Sequence, residues 1–298
     1  MFKSFDEIEL YALEHAAKKR VALAGSQDVD ALSAVVMARR KGAIEATLVG
    51  DEETTRKHLA DLNESADCYS FVHEPSGPQC ARIACDMVRN KEADIPMKGA
   101  MQTAEFLKAV LDKNLGFVSE KTLITQATVF EYKKEDRLMI VTDCAIAITP
   151  DYDDKIKIVT NAVKLANRMR NNCPKVAIVA PVETVNPAMQ STIDAAMLSK
   201  ACQRGQIKGC VIDGPLGLDN AVSLEAARHK GIVSDVAGMA DILIMPDICA
   251  GNIFTKSLTY FGDLRTGAAM NGTTSPVVMT SRTDSSEDKY RSILLATL

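Results

Sequence analysis

Residues 175–214 read KVAIVAPVETVNPAMQSTIDAAMLSKACQRGQIKGCVIDG. KVAIVAP (175–181) is a short, nearly continuous apolar run, the pattern of a strand buried on both faces. PAMQSTIDAAMLSKACQRG (187–205) follows with a helical pattern, and IKGCVIDG (207–214) returns to a short apolar run. Strand, helix and strand in that order make a βαβ unit and therefore a parallel sheet covered by helices.

The same alternation spreads in both directions. VALAG (21–25) precedes an amphipathic stretch at 29–41, and EATLVG (45–50) precedes a shorter one. IKGCVIDG leads into LDNAVSLEAARHKG (218–231), and ADILIMP (240–246) leads into GNIFTKSLTYFGD (251–263). One region departs from the rule. KTLITQATVFEYKKEDRLMIVTD (121–143) holds two β-rich runs joined by a charged turn, which predicts an antiparallel hairpin with a domain border near its start. A long helical pattern follows at 153–171. The expected class is α/β with largely parallel sheets, in a chain of 298 residues with material for two cores.

Composition removes several classes. The net charge is −4, aromatic residues are 5% and tryptophan is absent, which argues against a nucleic-acid or anionic-membrane surface. No apolar run approaches a membrane span, and the N-terminal MFKSFDEIELYALEHAAKKR reads as an amphipathic helix, so a cytoplasmic protein is expected. The eight cysteines form no CxxC pair and are expected to be reduced and mostly buried. His15, His58, His73 and His229 show no ligand spacing, so no structural metal is expected.

In parallel α/β sheets, ligands bind beyond the carboxyl ends of the strands. The segments there are rich in Gly, Pro, Asp and hydroxyls: GSQD (25–28), VGDEE (49–53), PMKGAMQTAEFL (96–107), APVETVNP (180–187), DGPLGLD (213–219), MPDICAGN (245–252) and TSRTDSS (280–286). In the last of these, Pro276–Thr280 reads as a buried strand that delivers Ser281 and Arg282 to the start of a helix. Asp284 with Glu287, or Ser285 with Asp288, fits a capping box, with Asp284 favoured as the N-cap. A guanidinium beside free helix N–H groups is a good oxyanion site. No GxGxxG follows a strand, no GxSxG elbow exists, and GNIFTKS (251–257) lacks the glycine a P-loop needs before Lys256.

Five blocks together carry a family resemblance: ADIPMKGAMQTAEFLKAVLD (93–112), DCAIAITPD (143–151), STIDAAMLSKACQRGQIKGCVIDGPLGLDNAVS (191–223), VAGMADILIMPDICAGNIFTKSLTY (236–260) and PVVMTSRTDSS (276–286). In that order they resemble the phosphate acyltransferases, the butyryl branch more than the longer acetyl branch. The resemblance implies a reversible exchange of a short acyl group between coenzyme A and inorganic phosphate, with no cofactor beyond CoA as substrate. It implies a homodimer and two α/β domains around a cleft, similar to the isocitrate and isopropylmalate dehydrogenase fold. By that similarity the first domain is 1–120 plus 270–298, and the second is 121–269. It implies Ser281 and Arg282 as active-site residues, with Asp288, six residues after the arginine, at the spacing of a base. The family's phosphate-site arginine is Lys108 here, in TAEFLK. Lys98, Thr103, Asp284 and Asn252 complete the substrate-binding candidates. The alternatives are a phosphate acetyltransferase, a non-catalytic CoA-binding protein, and a metal- and NAD-dependent dehydrogenase. The last would draw ligands from Asp213, Asp219, Asp235, Asp241 and Asp247.

Overall fold

A computed structural model describes residues 1–15, 17–119 and 122–298. The chain separates into two compact units. A terminal unit takes Phe5–Thr122 and Gly267–Leu298, and a central unit takes Met1–Ser4 and Leu123–Thr266.

In chain order, the terminal unit runs α1 (Phe5–His15), β1 (Lys19–Ala24), α2 (Val29–Arg40), β2 (Ile44–Gly50), α3 (Glu52–Asp61), β3 (Ser70–His73), α4 (Gly77–Arg89), β4 (Ile95–Lys98) and α5 (Thr103–Val110). Its four strands are all parallel, in the order β3-β2-β1-β4. Leu23 of β1 lies between Leu48 of β2 and Met97 of β4, and all three are buried. Pro276–Thr280, expected as a strand, forms a single parallel bridge between Val278 and Met97. Two hydrogen bonds make it: the Val278 N–H donates to the Pro96 carbonyl (3.0 Å) and the Lys98 N–H to the Val278 carbonyl (2.9 Å). Val277–Thr280 are buried, as an apolar run implies, but the ladder is too short for a regular strand.

The central unit begins with β5 (Thr125–Tyr132) and β6 (Arg137–Thr142), the expected antiparallel hairpin. It continues with α6 (Tyr152–Arg168), β7 (Lys175–Val179), α7 (Gln190–Gln203), β8 (Val211–Leu216), α8 (Leu218–Val222), α9 (Leu224–His229), β9 (Ile242–Ile244) and α10 (Ile248–Tyr260). Its own strands run in the order β5-β6-β9-β7-β8, with every pair after the hairpin parallel. β10 (Thr266–Asn271) leads the chain back to the terminal unit, which α11 (Ser286–Thr297) closes against α2 and α1. GNIFTKS lies inside α10, whose N-cap is Asp247.

Four expectations need correction. Met1–Ser4 belong with the central unit, where the Phe2 N–H donates to the Met169 carbonyl (3.2 Å) and Arg170 lies over the Phe2 ring. The stretch 218–231 is two helices because Ser223 leaves helical geometry and caps the second, accepting the Ala226 N–H. The cysteines are all free, but Cys80, Cys85 and Cys144 alone are buried, while Cys68, Cys173 and Cys249 are exposed. The return to the first unit comes at Gly267 rather than 270. The expected border at 120/121 falls outside the described residues. No described helix is long and apolar enough to cross a membrane.

Inside the central unit, Lys155 of α6 and Asp194 of α7 form a buried ion pair at 2.5 Å, and the Gln190 amide donates to the second Asp194 oxygen (2.8 Å). Removing one member of such a pair strands the other charge. Lys155→Met should therefore cost on the order of 3–5 kcal/mol in denaturant unfolding. Lys155→Met with Asp194→Leu should recover most of it. A double variant as unstable as the single one would show that packing, not the stranded carboxylate, sets the loss.

Candidate active site

The strand order of the terminal unit reverses between β1 and β4, the switch point at whose carboxyl ends open α/β sheets form their ligand crevice. The two exits are stitched backbone to backbone. The Gly99 N–H donates to the Ala24 carbonyl (2.7 Å) and the Ala100 N–H to the Gly25 carbonyl (2.9 Å). A Cβ on Gly99 would lie 2.3 Å from the Gly25 oxygen, which only glycine avoids.

Lys98 ends β4 at this point. It is 3% exposed, and among the described residues its ammonium has only long contacts, 3.4 Å to each of the Gly99 and Met101 carbonyls. Burial pushes its pKa down. The Asp28 and Asp284 carboxylates oppose that shift, and the positive charges of Arg282 and Lys289 reinforce it. Asp28 is also the N-cap of α2, accepting the Ala31 N–H (2.9 Å).

The turn after the Val278 bridge supplies the second cation. The Ser281 N–H donates to Asp284 Oδ2 (2.7 Å), and the hydroxyls of Ser281 and Thr283 share a hydrogen bond of 3.1 Å. Arg282 is exposed, and among the described residues its guanidinium has no hydrogen-bond or ion-pair partner. Asp284 was expected to cap the helix; instead it folds back onto Ser281, and Ser285 is the N-cap. Asp288 completes the capping box with Ser285. It is 8% exposed, accepts the Ser285 hydroxyl (2.7 Å) and pairs with Arg291 (2.7 Å). Both of its oxygens are thus engaged by donors within the turn and the helix.

The remaining candidates scatter. Thr103 is exposed in the first turn of α5, and Lys108 is exposed in the last, about 7.5 Å of helix rise further on. Asn252 belongs to the central unit, where its amide donates to the Cys144 carbonyl (3.2 Å). Beside it, Asp143 accepts the N–H groups of Ala145, Ile146, Ala147 and Gln126. Burial nonetheless pushes its pKa up. The central unit has its own concavity of about 670 Å³ beyond β7 and β9, walled by Pro150, Tyr152, Pro181, Met197 and Pro246. Sequence reading missed Lys289 and Asp28. Lys289 had one available signal: the residues after it, YRSILLATL, are too apolar for a helix with a solvated face.

The five aspartates of the dehydrogenase alternative have other work. Asp213 accepts the Gly214 N–H, Asp219 pairs with Lys230, Asp241 with Arg137, and Asp247 caps α10, while Asp235 is exposed. Among the described residues, no three His, Cys, Asp or Glu side chains gather as a metal site.

Cations placed at a helix start and a strand end suit an anionic ligand. Residues 71–297 match the family model described as phosphate acetyl/butaryl transferase, and the chain belongs to that family. It is 46% identical to the phosphate butyryltransferase of Clostridium acetobutylicum over 298 residues, 100% of this chain and 98% of that one. It is 39% identical to the phosphate acetyltransferase of Thermotoga maritima over 288 residues, 97% of each. Among solved structures it resembles a branched-chain phosphotransacylase from Enterococcus faecalis V583, with a TM-score of 0.83, 30% identity and coverage of 93% of this chain and 97% of that one.

The depressed Lys98 pKa has a sign that can be checked. Folded protein releases this proton at lower pH than unfolded chain, so this group's contribution to stability increases as pH rises between its folded and unfolded values. NMR titration of the Lys98 side chain should place its midpoint below the ordinary lysine value. Arg282→Ala should move it upward by removing a repelling charge. A midpoint indifferent to Arg282 would separate the two cations.

Proposed function

We propose that this chain is a phosphate acyltransferase of the butyryl type, exchanging a short acyl group between CoA and inorganic phosphate. The Lys98–Arg282 crevice is the phosphate end of its site. One observation supports the reading: in a member of this transferase family, a buried lysine at the end of β4 lies within the electrostatic reach of Arg282.

The chemistry is a displacement at a carbonyl. A phosphate oxygen attacks the thioester carbon, a C–O bond forms, the C–S bond breaks, and the electron pair leaves with sulfur. No atom changes oxidation state, so the reaction needs no electron carrier and CoA is a substrate. Lys98 and Arg282 hold the phosphate, and the Ser281 hydroxyl donates to the carbonyl oxygen as charge develops there. Both substrates bind before transfer, and orientation supplies much of the acceleration.

In the reverse direction the CoA thiol must ionise, and its unperturbed pKa is about 8.5. Asp288 has the spacing expected of a base, but its contacts are those of a helix cap. Thiolate stabilisation falls to the cationic crevice, and Asp288 shapes the turn that presents Arg282. A cytoplasmic homodimer is part of the proposal. Light scattering that found a single 32.2 kDa chain would remove the dimer.

Arg282→Ala should lower kcat on the order of 10²–10³-fold with the fold intact. Arg282→Lys should restore little, because a point charge cannot replace the planar fork. Asp288→Asn should lower the melting temperature while leaving the shape of the pH–rate profile unchanged. A loss at neutral pH that recovers as CoA ionises would instead make Asp288 the base. These are read by free-thiol release from acyl-CoA and phosphate, and by the reverse reaction from acyl phosphate.

Butyryl-CoA and branched acyl-CoAs of similar size should outperform acetyl-CoA in kcat/KM. Support comes from the higher identity to a butyryltransferase than to an acetyltransferase. Each methylene accepted by an apolar pocket adds roughly 1–3 kcal/mol of discrimination. A higher kcat/KM for acetyl-CoA would return the chain to the acetyl branch.

A further inference from the structure

Lys289 is the most deeply buried charge near the crevice. It lies in the first turns of α11 and is 1% exposed. Its ammonium donates to the main-chain carbonyl of Asp284, and among the described residues it forms no ion pair. Neighbouring charges on the same helix are otherwise engaged: Asp288 is held by Ser285 and Arg291, and the Arg291 guanidinium lies 5.7 Å from the Phe5 ring centroid. A buried ammonium held by one neutral carbonyl is a poor device for stability, since an apolar side chain of similar length would avoid the desolvation cost.

Its position gives it another use. Asp284 is the residue that folds back onto the Ser281 N–H, so a bond to its carbonyl fixes the loop carrying Ser281 and Arg282. The same ammonium adds a third positive charge. Lys98 is faced by Asp28 from the start of α2, by Arg282 and Asp284 from the 281–285 turn, and by Lys289 from α11. Three cations against two carboxylates leave a local excess of one positive charge, which an anion neutralises.

We propose that Lys289 is a positioning residue for phosphate. Its ammonium locks the Ser281–Ser285 turn through the Asp284 carbonyl and holds the crevice cationic around Lys98. This rests on the reading of the crevice as the phosphate end of the site. Lys289 acts through Lys98 and Arg282 and does not touch the acyl group.

Three substitutions separate its two roles. Lys289→Arg keeps the charge and a donor, Lys289→Gln keeps a donor without charge, and Lys289→Met keeps neither. Each is assayed as full-length protein for melting temperature, for KM and kcat with phosphate in thiol release, and for the pH dependence of kcat/KM for phosphate. Lys289→Met should melt no lower than wild type yet show a KM for phosphate raised roughly tenfold or more. In both Lys289→Gln and Lys289→Met the alkaline limb should move to higher pH, because Lys98 keeps its proton longer once a repelling charge is gone. Lys289→Arg should leave that limb in place. If Lys289→Met does not fold, the limb of Lys289→Gln decides.

A melting temperature that falls in Lys289→Gln and Lys289→Met with wild-type phosphate KM and an unmoved limb would reduce Lys289 to a packing residue and overturn the proposal. Lys98→Met and Arg282→Ala run alongside. If both abolish turnover while Lys289→Gln behaves as wild type, only the role of Lys289 falls. If both retain turnover, the phosphate-site reading falls with it.

Discussion

The backbone contact between the exits of β1 and β4 is the constraint on which the candidate site of the terminal unit depends. Two N–H donations tie Gly99 and Ala100 to the carbonyls of Ala24 and Gly25. That approach leaves no room for a Cβ at Gly99, and it fixes Lys98 one residue earlier at the end of a buried strand. The Val278 bridge then docks on the other side of β4 through the Lys98 N–H itself. The lysine's main chain is thus bonded into the sheet while its side chain stands at the crevice. Arg282 follows Val278 closely along the chain, so the same bridge limits how far its turn can stray, and sheet geometry sets the reach of both cations.

Burying positive charge in such a crevice has an energetic logic. An ammonium removed from water without a full carboxylate partner is destabilised, and the destabilisation is relieved by an arriving anion. Lys98 is in this condition, and Asp28 and Asp284 compensate it only in part. Strain of this kind resides in electrostatics rather than in bond geometry. On the proposed reading, it would let the crevice favour phosphate without a metal-like concentration of charge on the surface. The overall charge of the chain stays at −4, so attraction is confined to the site.

The fold was legible because its signal is periodic. Continuous apolar runs at 21–25, 45–50, 175–181 and 240–246 became parallel strands, and the charged turn within 121–143 became a hairpin. The site was legible only in part. Ser281 and Arg282 stand at a turn that sequence could mark, since a hydroxyl-rich burst before a helix has few structural readings. Which residue caps that helix was not legible, because Asp284 and Ser285 satisfy the same local rule and the choice falls to the turn, where the Ser281 N–H engages the Asp284 carboxylate. Lys289 was missed for the opposite reason. Its charge reads as a solvated position despite the apolar run that follows it, and the packing of α11 against α2 and α1 buries it. Lys108 and Asn252 entered through resemblance, and their placement follows from tertiary structure that no local pattern encodes.

The discontinuity of the terminal unit also orders events during translation. Lys98 leaves the ribosome early, but Val278, which covers the far edge of β4, is synthesised 180 residues later. At about 5–20 residues per second, that interval lasts roughly 10–40 s. Throughout it the nascent chain carries an unpaired edge at β4 and helices α1 and α2 without the apolar cover of α11. The central unit, from Leu123 to Thr266, is complete before the terminal unit can close. The last 32 residues, Gly267–Leu298, therefore deliver both the final piece of the core and the arginine of the proposed site. A chain released short of them would lack both at once.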